Sequence, residues 1–327
     1  MQHSTTPGAR RSRRTLAWLT TALATSALAL GGAQAAGAAP QAPVDVHVTD
    51  ASTSATSAYW TPERMESAID ADQLAVDAAT APSTSVERGA PTTIAPQAAT
   101  RPTARGGQQL MAVTPVSHIG KVFFTMGGAD YVCSGNSVVS ANERTVSTAG
   151  HCLNEGGGAW ASNFVFAPAY QNGSTPYGLW TATELHAPSA WTGSGDINYD
   201  TAFAVVASPA GSSATLTDTV GASGVAFNQS RGLTYQAYGY PAASPFNGQT
   251  LETCSGTART DTYGGTQSQG IPCTMTGGSS GGPWFIGSGS SGVQNSVNSF
   301  GYNTVRNVMW GPYWGSVIQS TYTAAQS

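Results

Sequence analysis

From about Met111 onward, short apolar or alternating runs are separated by clusters of Gly, Asn, Ser and Asp. The runs cover 119–125, 137–140, 163–166, 201–206, 235–240 and 293–300, and valine, threonine and aromatics are common in them. Such side chains suit a pleated, half-buried surface. The pattern predicts many short strands joined by turns, an all-β barrel or sandwich. The tail departs from it: Trp314, Val317, Ile318 and Tyr322 are spaced as one face of a closing helix. No repeat of about 20 to 50 residues is evident, which argues against a propeller or solenoid.

Upstream the texture is different. Residues 36 to 107 are rich in Ala, Ser, Thr, Pro and Gln and poor in aromatics, so they have little apolar surface to bury. One stretch, 60–79, reads as a helix: Thr61 is an N-cap, Pro62 stands at the first helical position, and Met65, Ile69 and Val76 follow at helical spacing. The expectation is a pro-region or loosely ordered extension over 36–112, ahead of a single domain over 113–327. The first residues have a third texture. Arg10, Arg11, Arg13 and Arg14 precede the uncharged apolar run 15–30, and small residues follow, with Ala33-Gln34-Ala35 and Ala36-Gly37-Ala38 as cleavage candidates. That order predicts a signal peptide over 1–35, and the apolar run is short for a membrane span. A secreted, extracellular product is expected, with no membrane association after signal removal.

Charge narrows the partners. Only 9% of residues are charged and the formal net charge is −4, so nucleic-acid binding is not expected. The four cysteines, Cys133, Cys152, Cys254 and Cys273, show no C-x-x-C spacing. In an exported protein they read as disulfides, and Cys133–Cys152 with Cys254–Cys273 gives two loops of equal length. Each closure is worth about 3 kcal/mol in the chain-entropy model. No calcium-loop spacing occurs, and neither metal nor cofactor is expected.

Three places carry candidate chemistry. His151 adjoins Cys152, so a disulfide there would anchor an imidazole, as a general base requires. Asp200 immediately precedes the apolar run 201–206, where a buried carboxylate needs a partner such as an imidazole N–H. Asp196, among turn-like neighbours, is the weaker candidate. The third is the stretch 274–284, TMTGGSSGGPW. A serine hydroxyl needs a base, and the charge that develops on a substrate carbonyl oxygen needs fixed donors. Glycines on both sides of Ser279 and Ser280 allow a loop whose backbone N–H groups converge.

Together these residues resemble the chymotrypsin-fold serine endopeptidases. Thr148-Ala149-Gly150-His151-Cys152 is similar to the family's histidine motif, Asn198-Tyr199-Asp200 to its aspartate motif, and Gly278-Ser279-Ser280-Gly281-Gly282-Pro283 to its nucleophile motif. The Gly239-Tyr240-Pro241 turn and the segment 273–284 look most like secreted bacterial members related to the glutamyl endopeptidases. The resemblance implies two antiparallel six-stranded β-barrels with a C-terminal helix and a site in the cleft between them. It implies Ser280 as nucleophile, His151 as base, Asp200 as the group orienting it, and the N–H groups of Gly278 and Ser280 as the oxyanion hole. Protein or peptide substrates and a monomer follow. A catalytically inactive binding protein on the same fold is the competing reading.

Two departures matter. Ser279 stands where many animal members carry the aspartate that pairs with a newly cut N-terminus. Activation is therefore expected through removal of a covering segment within 36–112. Thr274 stands where the Arg/Lys-cutting members have aspartate, and no histidine follows His186. Thr274, Ser299, Phe300 and Gly301 are thus expected to line a mostly neutral pocket.

Overall fold

The computed structural model describes residues 43–50, 52–72, 84–100 and 114–327. The expected signal peptide lies outside the described residues. The N-terminal stretch supplies three strands: β1 (Val44–Val48), β2 (Ile69–Asp70) and β3 (Thr92–Ile94). It also supplies two short helices, Thr53–Tyr59 and Pro62–Ser67.

Six strands then close on themselves: β4 (Ile119–Met126), β5 (Ala129–Ser137), β6 (Thr145–Thr148), β7 (Ser162–Pro168), β8 (Trp180–Pro188) and β9 (Ala202–Ala207). Their order is β8-β7-β4-β5-β6-β9, with β9 pairing back onto β8. All of these pairings are antiparallel. A two-residue turn, Gly127–Gly128, joins β4 to β5 with both φ angles positive, a conformation that glycine adopts freely and that matches strand twist. Along β4 the two faces separate. Val122, Phe124 and Met126 enter the core of this barrel, whereas Ile119 and Phe123 belong to a second cluster on its outer face.

The second half consists of β10 (Gly224–Phe227), β11 (Thr234–Gly239), β12 (Glu252–Thr257), β13 (Arg259–Thr260), β14 (Gln269–Pro272), β15 (Pro283–Ile286), β16 (Val293–Val297) and β17 (Val308–Gly311). A six-stranded sheet runs β12-β11-β15-β16-β10-β3, beside a three-stranded sheet β13-β14-β17. The Cys254–Cys273 disulfide and a Phe300–Trp310 bridge tie the two together. The β10–β16 pairing is parallel. These strands are remote in sequence, so no hairpin dictates their direction. The chain ends in the helix Ser316–Ala325, which buries Ile318 and Tyr322 against Phe203 and Phe227. Trp314 packs there from just ahead of the helix.

The N-terminal stretch differs from its expectation in an instructive way. Thr61 caps Arg64 N–H and Pro62 opens the helix, but the helix ends at Ser67. Ala68 turns extended, and Ile69 and Asp70 pair in parallel with Tyr131 and Val132 of β5. Val76 lies outside the described residues. The stretch builds no core of its own. It borrows sheet edges instead: β1 on β8, β2 on β5 and β3 on β10. Backbone pairing to a preformed edge needs few apolar residues, which is why composition alone reads as loose.

Candidate active site

His151 and Asp200 meet because β6 and β9 are paired. Thr148 lies opposite Ala202 at the end of the ladder. Beyond it the chain turns through Gly150–Cys152, and on the other side Asp200 closes the turn Ile197–Tyr199. The Asp200 carboxylate accepts from the His151 backbone N–H at 2.8 Å and contacts Nδ1 of the same residue at 2.8 Å. Both side chains are fully buried. Gly150 is required by this approach, since a Cβ there would lie 2.9 Å from Asp200 Oδ1 and 3.0 Å from the Trp191 ring. The Cys133–Cys152 disulfide secures the next residue, with Cα atoms 6.4 Å apart. Asp196 takes a structural part, accepting from Thr84 and capping the turn at Asn198.

Burial pulls the His151 imidazole down. The charge and hydrogen bond of Asp200, with the charge of Asp72, outweigh it and leave His151 above its ordinary value. The Nε2 atom is buried and has no partner among the described residues. It is the ring nitrogen left over for a proton-transfer partner.

The loop 274–284 is tied down from both sides. Ser279 Oγ donates to Thr276 O, Gly281 N–H to Asn298 O, and Asn298 Nδ2 to Ser279 O. From the first barrel, Ser134 Oγ donates to Gly278 O and Ser134 N–H to Ser280 O. Gly278 and Gly281 have φ of 90° and 82°, in the left-handed region. The two serines are thereby distinguished. Ser279 is occupied by the loop itself, whereas Ser280 Oγ donates outward to Asp72 Oδ1 at 3.0 Å. The Gly278 N–H acts on the same carboxylate. Burial pushes the Asp72 carboxyl up, and the nearby His151, Ser280 and Gly278 only partly oppose this.

A cavity of about 540 Å³ opens beside the loop, lined by Thr274, Met275, Phe300, Gly301, Tyr302 and Arg306 among others, with Asp70 and Asp72 on its N-terminal side. Three of the four expected pocket residues line it. The fourth, Ser299, has another contact: its hydroxyl donates to Asp200 Oδ2 and so steadies the carboxylate that holds His151. Asp70 packs on Gly277, where a Cβ would come within 2.4 Å of Oδ1. Sequence reasoning did not find Asp70 and Asp72. Their only signal is two acids, one residue apart, in an otherwise Ala-rich stretch.

No protein-family model matches the chain. A crystal structure of the protease Anisep from Arthrobacter nicotinovorans is 63% identical, with TM-score 0.64, over 66% of this chain and 98% of that one. A thermostable serine protease, AL20, from an extremophilic microorganism is 56% identical, with TM-score 0.62, over 64% and 97%. A Glu endopeptidase structure at 19% identity and TM-score 0.50 shares the fold. The chain belongs to the chymotrypsin-fold serine proteases, and it is a peptidase. A curated relative from Bacillus subtilis (strain 168), described as an extracellular metalloprotease, is 34% identical over 146 residues. The match spans 44% of that relative's length. Among the described residues, the one His/Cys/Asp/Glu group with ligand atoms close together is Cys133, His151 and Cys152. Its sulfurs are joined as a disulfide and offer no thiolate to a metal.

Proposed function

We propose that this protein is a secreted serine endopeptidase, made as an inactive precursor, that works through Ser280, His151 and Asp200. His151 Nε2 takes the Ser280 proton as Oγ attacks the scissile carbonyl carbon. The backbone N–H groups of Gly278 and Ser280 receive the oxyanion, and Asp200 stabilises the imidazolium. The proton then passes to the leaving amine. Water, activated by the same imidazole, hydrolyses the acyl-enzyme and releases the acid product.

One observation carries this reading. The Ser280 hydroxyl and the Gly278 N–H converge on a single carboxylate, that of Asp72, beside the buried His151–Asp200 pair. That carboxylate stands where a substrate's carbonyl would sit. It is a side-chain acid with no scissile amide, so it blocks the site without being consumed. The N-terminal stretch through Asp72 is therefore the inhibitory part of the precursor, and cutting it away opens the cleft. The solved proteases at 63% and 56% identity match about two thirds of this chain, the size of the two-barrel body. Two disulfides, and no described helix long and apolar enough to cross a membrane, fit an exported protein. Thr274, Phe300 and Gly301 give the cavity a neutral wall that suits an uncharged side chain ahead of the cut, Arg306 is the charged lining residue of the body, and a cleavage profile on a peptide library checks the preference.

A fluorophosphonate reagent should label the processed enzyme on Ser280, and Ser280→Ala should abolish both labelling and peptide hydrolysis. Hydrolysis that survives Ser280→Ala, or that a chelator stops while the reagent does not, would defeat the assignment.

A further inference from the structure

The apolar run of β4 contains one lysine, and the reaction described above gives it no part. Lys121 shares the outer face of β4 with Ile119 and Phe123 and is 2% exposed. Its ammonium donates to Gly248 O at 2.9 Å and lies 5.1 Å from the centroid of the Phe123 ring and 5.0 Å from that of Tyr170. Among the described residues it makes no ion pair. Burial holds its pKa down, to about 8, so it is still a cation at neutral pH. A buried cation without a carboxylate is costly, and a methionine of similar length would pack here without that cost. One carbonyl and two ring faces are all that offset it.

That carbonyl belongs to a loop that reaches the reacting centre. The loop 241–249 is closed by Gly248 N–H, which donates to Pro241 O at 2.7 Å. At its start, the N–H groups of Ala242 and Ala243 donate to Gly277 O at 2.5 and 3.2 Å. Thr276 Oγ1 donates in return to Ala243 O at 2.7 Å. Gly277 O and the Gly278 N–H are two ends of one peptide plane, and in a trans peptide they point in opposite directions. Holding the carbonyl on the loop therefore aims the N–H away from the loop and into the cleft, where it acts on the Asp72 carboxylate. Gly278 itself lies against the loop: a Cβ there would come within 2.8 Å of Ala242 Cβ.

We propose that Lys121 is a positioning residue for the oxyanion hole. Through Gly248 it fixes the loop 241–249 to the first barrel, and the loop holds the Gly277–Gly278 peptide with its N–H facing the substrate carbonyl. The proposal rests on the assignment of Gly278 as an oxyanion donor made above. The stacked rings fix where the ammonium sits, and the ammonium fixes the carbonyl. A neutral side chain of the same length would fill the space but leave Gly248 O without its donor, so the loop would relax away from β4 and the peptide would be free to turn.

The test compares the processed parent enzyme with Lys121→Met. Loss of an oxyanion donor lowers kcat by about a hundredfold or more. Here the donor stays and loses only its support, so kcat on a chromogenic peptide should fall about tenfold, with KM within about twofold of the parent. A peptide aldehyde should lose affinity by a similar factor. Ser280 Oγ adds to its carbonyl carbon, the hydroxyl proton passes to His151, and the carbonyl oxygen enters the oxyanion hole. The matching peptide alcohol, which cannot form this adduct, should bind as before. Gly248→Ala attacks the same contact from the loop, since a Cβ there would lie 2.8 Å from Lys121 Nζ, the free end of a flexible side chain. It should lower kcat in the same way, even where the Met variant is not recovered, and the two losses together should be less than additive. The proposal is overturned by an unchanged kcat in either variant, by a loss confined to KM, or by additive losses. It is also overturned by equal losses of aldehyde and alcohol affinity, which would mark a general loosening of the site. Failure of the Ser280 reading would appear separately, as hydrolysis that survives Ser280→Ala in a chain that keeps Lys121.

Discussion

His151 is held by one carboxylate through both its backbone and its ring. The ring therefore cannot rotate without breaking a buried ionic contact, and Nε2 stays directed away from Asp200. In the processed enzyme, Asp200→Asn should lower kcat on the order of 10⁴-fold, because an amide can hold the wrong tautomer. Thermal unfolding of the same variant checks that the fold survives. In the proposed precursor Asp72 acts in the opposite sense. Replacing it with Ala in the full-length chain frees the Ser280 hydroxyl while the anchors of Trp60 on Asn163 and of Arg64 on Asp130 remain. The full-length Asp72→Ala protein should react with fluorophosphonate faster than the full-length parent, and equal rates would remove Asp72 from the blocking role. These two acids differ in how visible they are in sequence. Asp200 stands at the edge of an apolar run, a pattern that demands a partner. Asp72 stands in an alanine-rich stretch, and its meaning arises only from where β2 docks.

Elements explain the rest of what the sequence discloses. Strands with apolar runs are legible: 119–125, 163–166 and 235–240 all fall within or across β4, β7 and β11. β8 is not, because TATELHAP offers no run and mixes polar positions on both faces. It is a strand because β7, β9 and β1 pair with it. The stretch 137–140 marks the end of β5 and not a strand of its own, since only Ser137 remains in the ladder. The glycine-rich loop 274–284 is legible for a different reason, as glycine density reports backbone geometry directly. Gly281 illustrates it: a Cβ there would lie 2.1 Å from Thr148 Oγ1 and 2.4 Å from Ser134 O, at a left-handed φ. Gly281→Ala should destabilise the fold by about 3 kcal/mol or more, through overpacking and strain together. Denaturant titration measures this, and a loss within about 0.5 kcal/mol would mean that the two barrels can part there without penalty.

At the scale of the whole molecule, the N-terminal stretch spans both halves and sets the Asp72 carboxyl against Ser280, so its docking is linked to protons. A free Asp carboxyl titrates near about 3.9. In the docked state burial raises Asp72, the charge of Asp70 adds to this, and His151, Ser280 and Gly278 oppose it. The docked form therefore keeps its proton to higher pH than the released form does. Its proton-linked stabilisation is fully present below about pH 3.9 and is lost as pH rises through the docked value. Acid should hold the precursor closed, and a rise in pH should loosen it. His151 titrates in the same cleft, and Asp200, which raises it most after burial is overcome, stays in place when the segment leaves. Dividing the fluorophosphonate rate of the full-length chain by that of the processed enzyme at each pH removes the part of the His151 effect that Asp200 sets, and leaves the part that depends on Asp72. This ratio should climb from about pH 4 upward, and Asp72→Asn, which cannot ionise, should flatten it. A ratio that is level in the parent protein would mean that the segment is held by its anchors alone, with the carboxylate contributing only its shape.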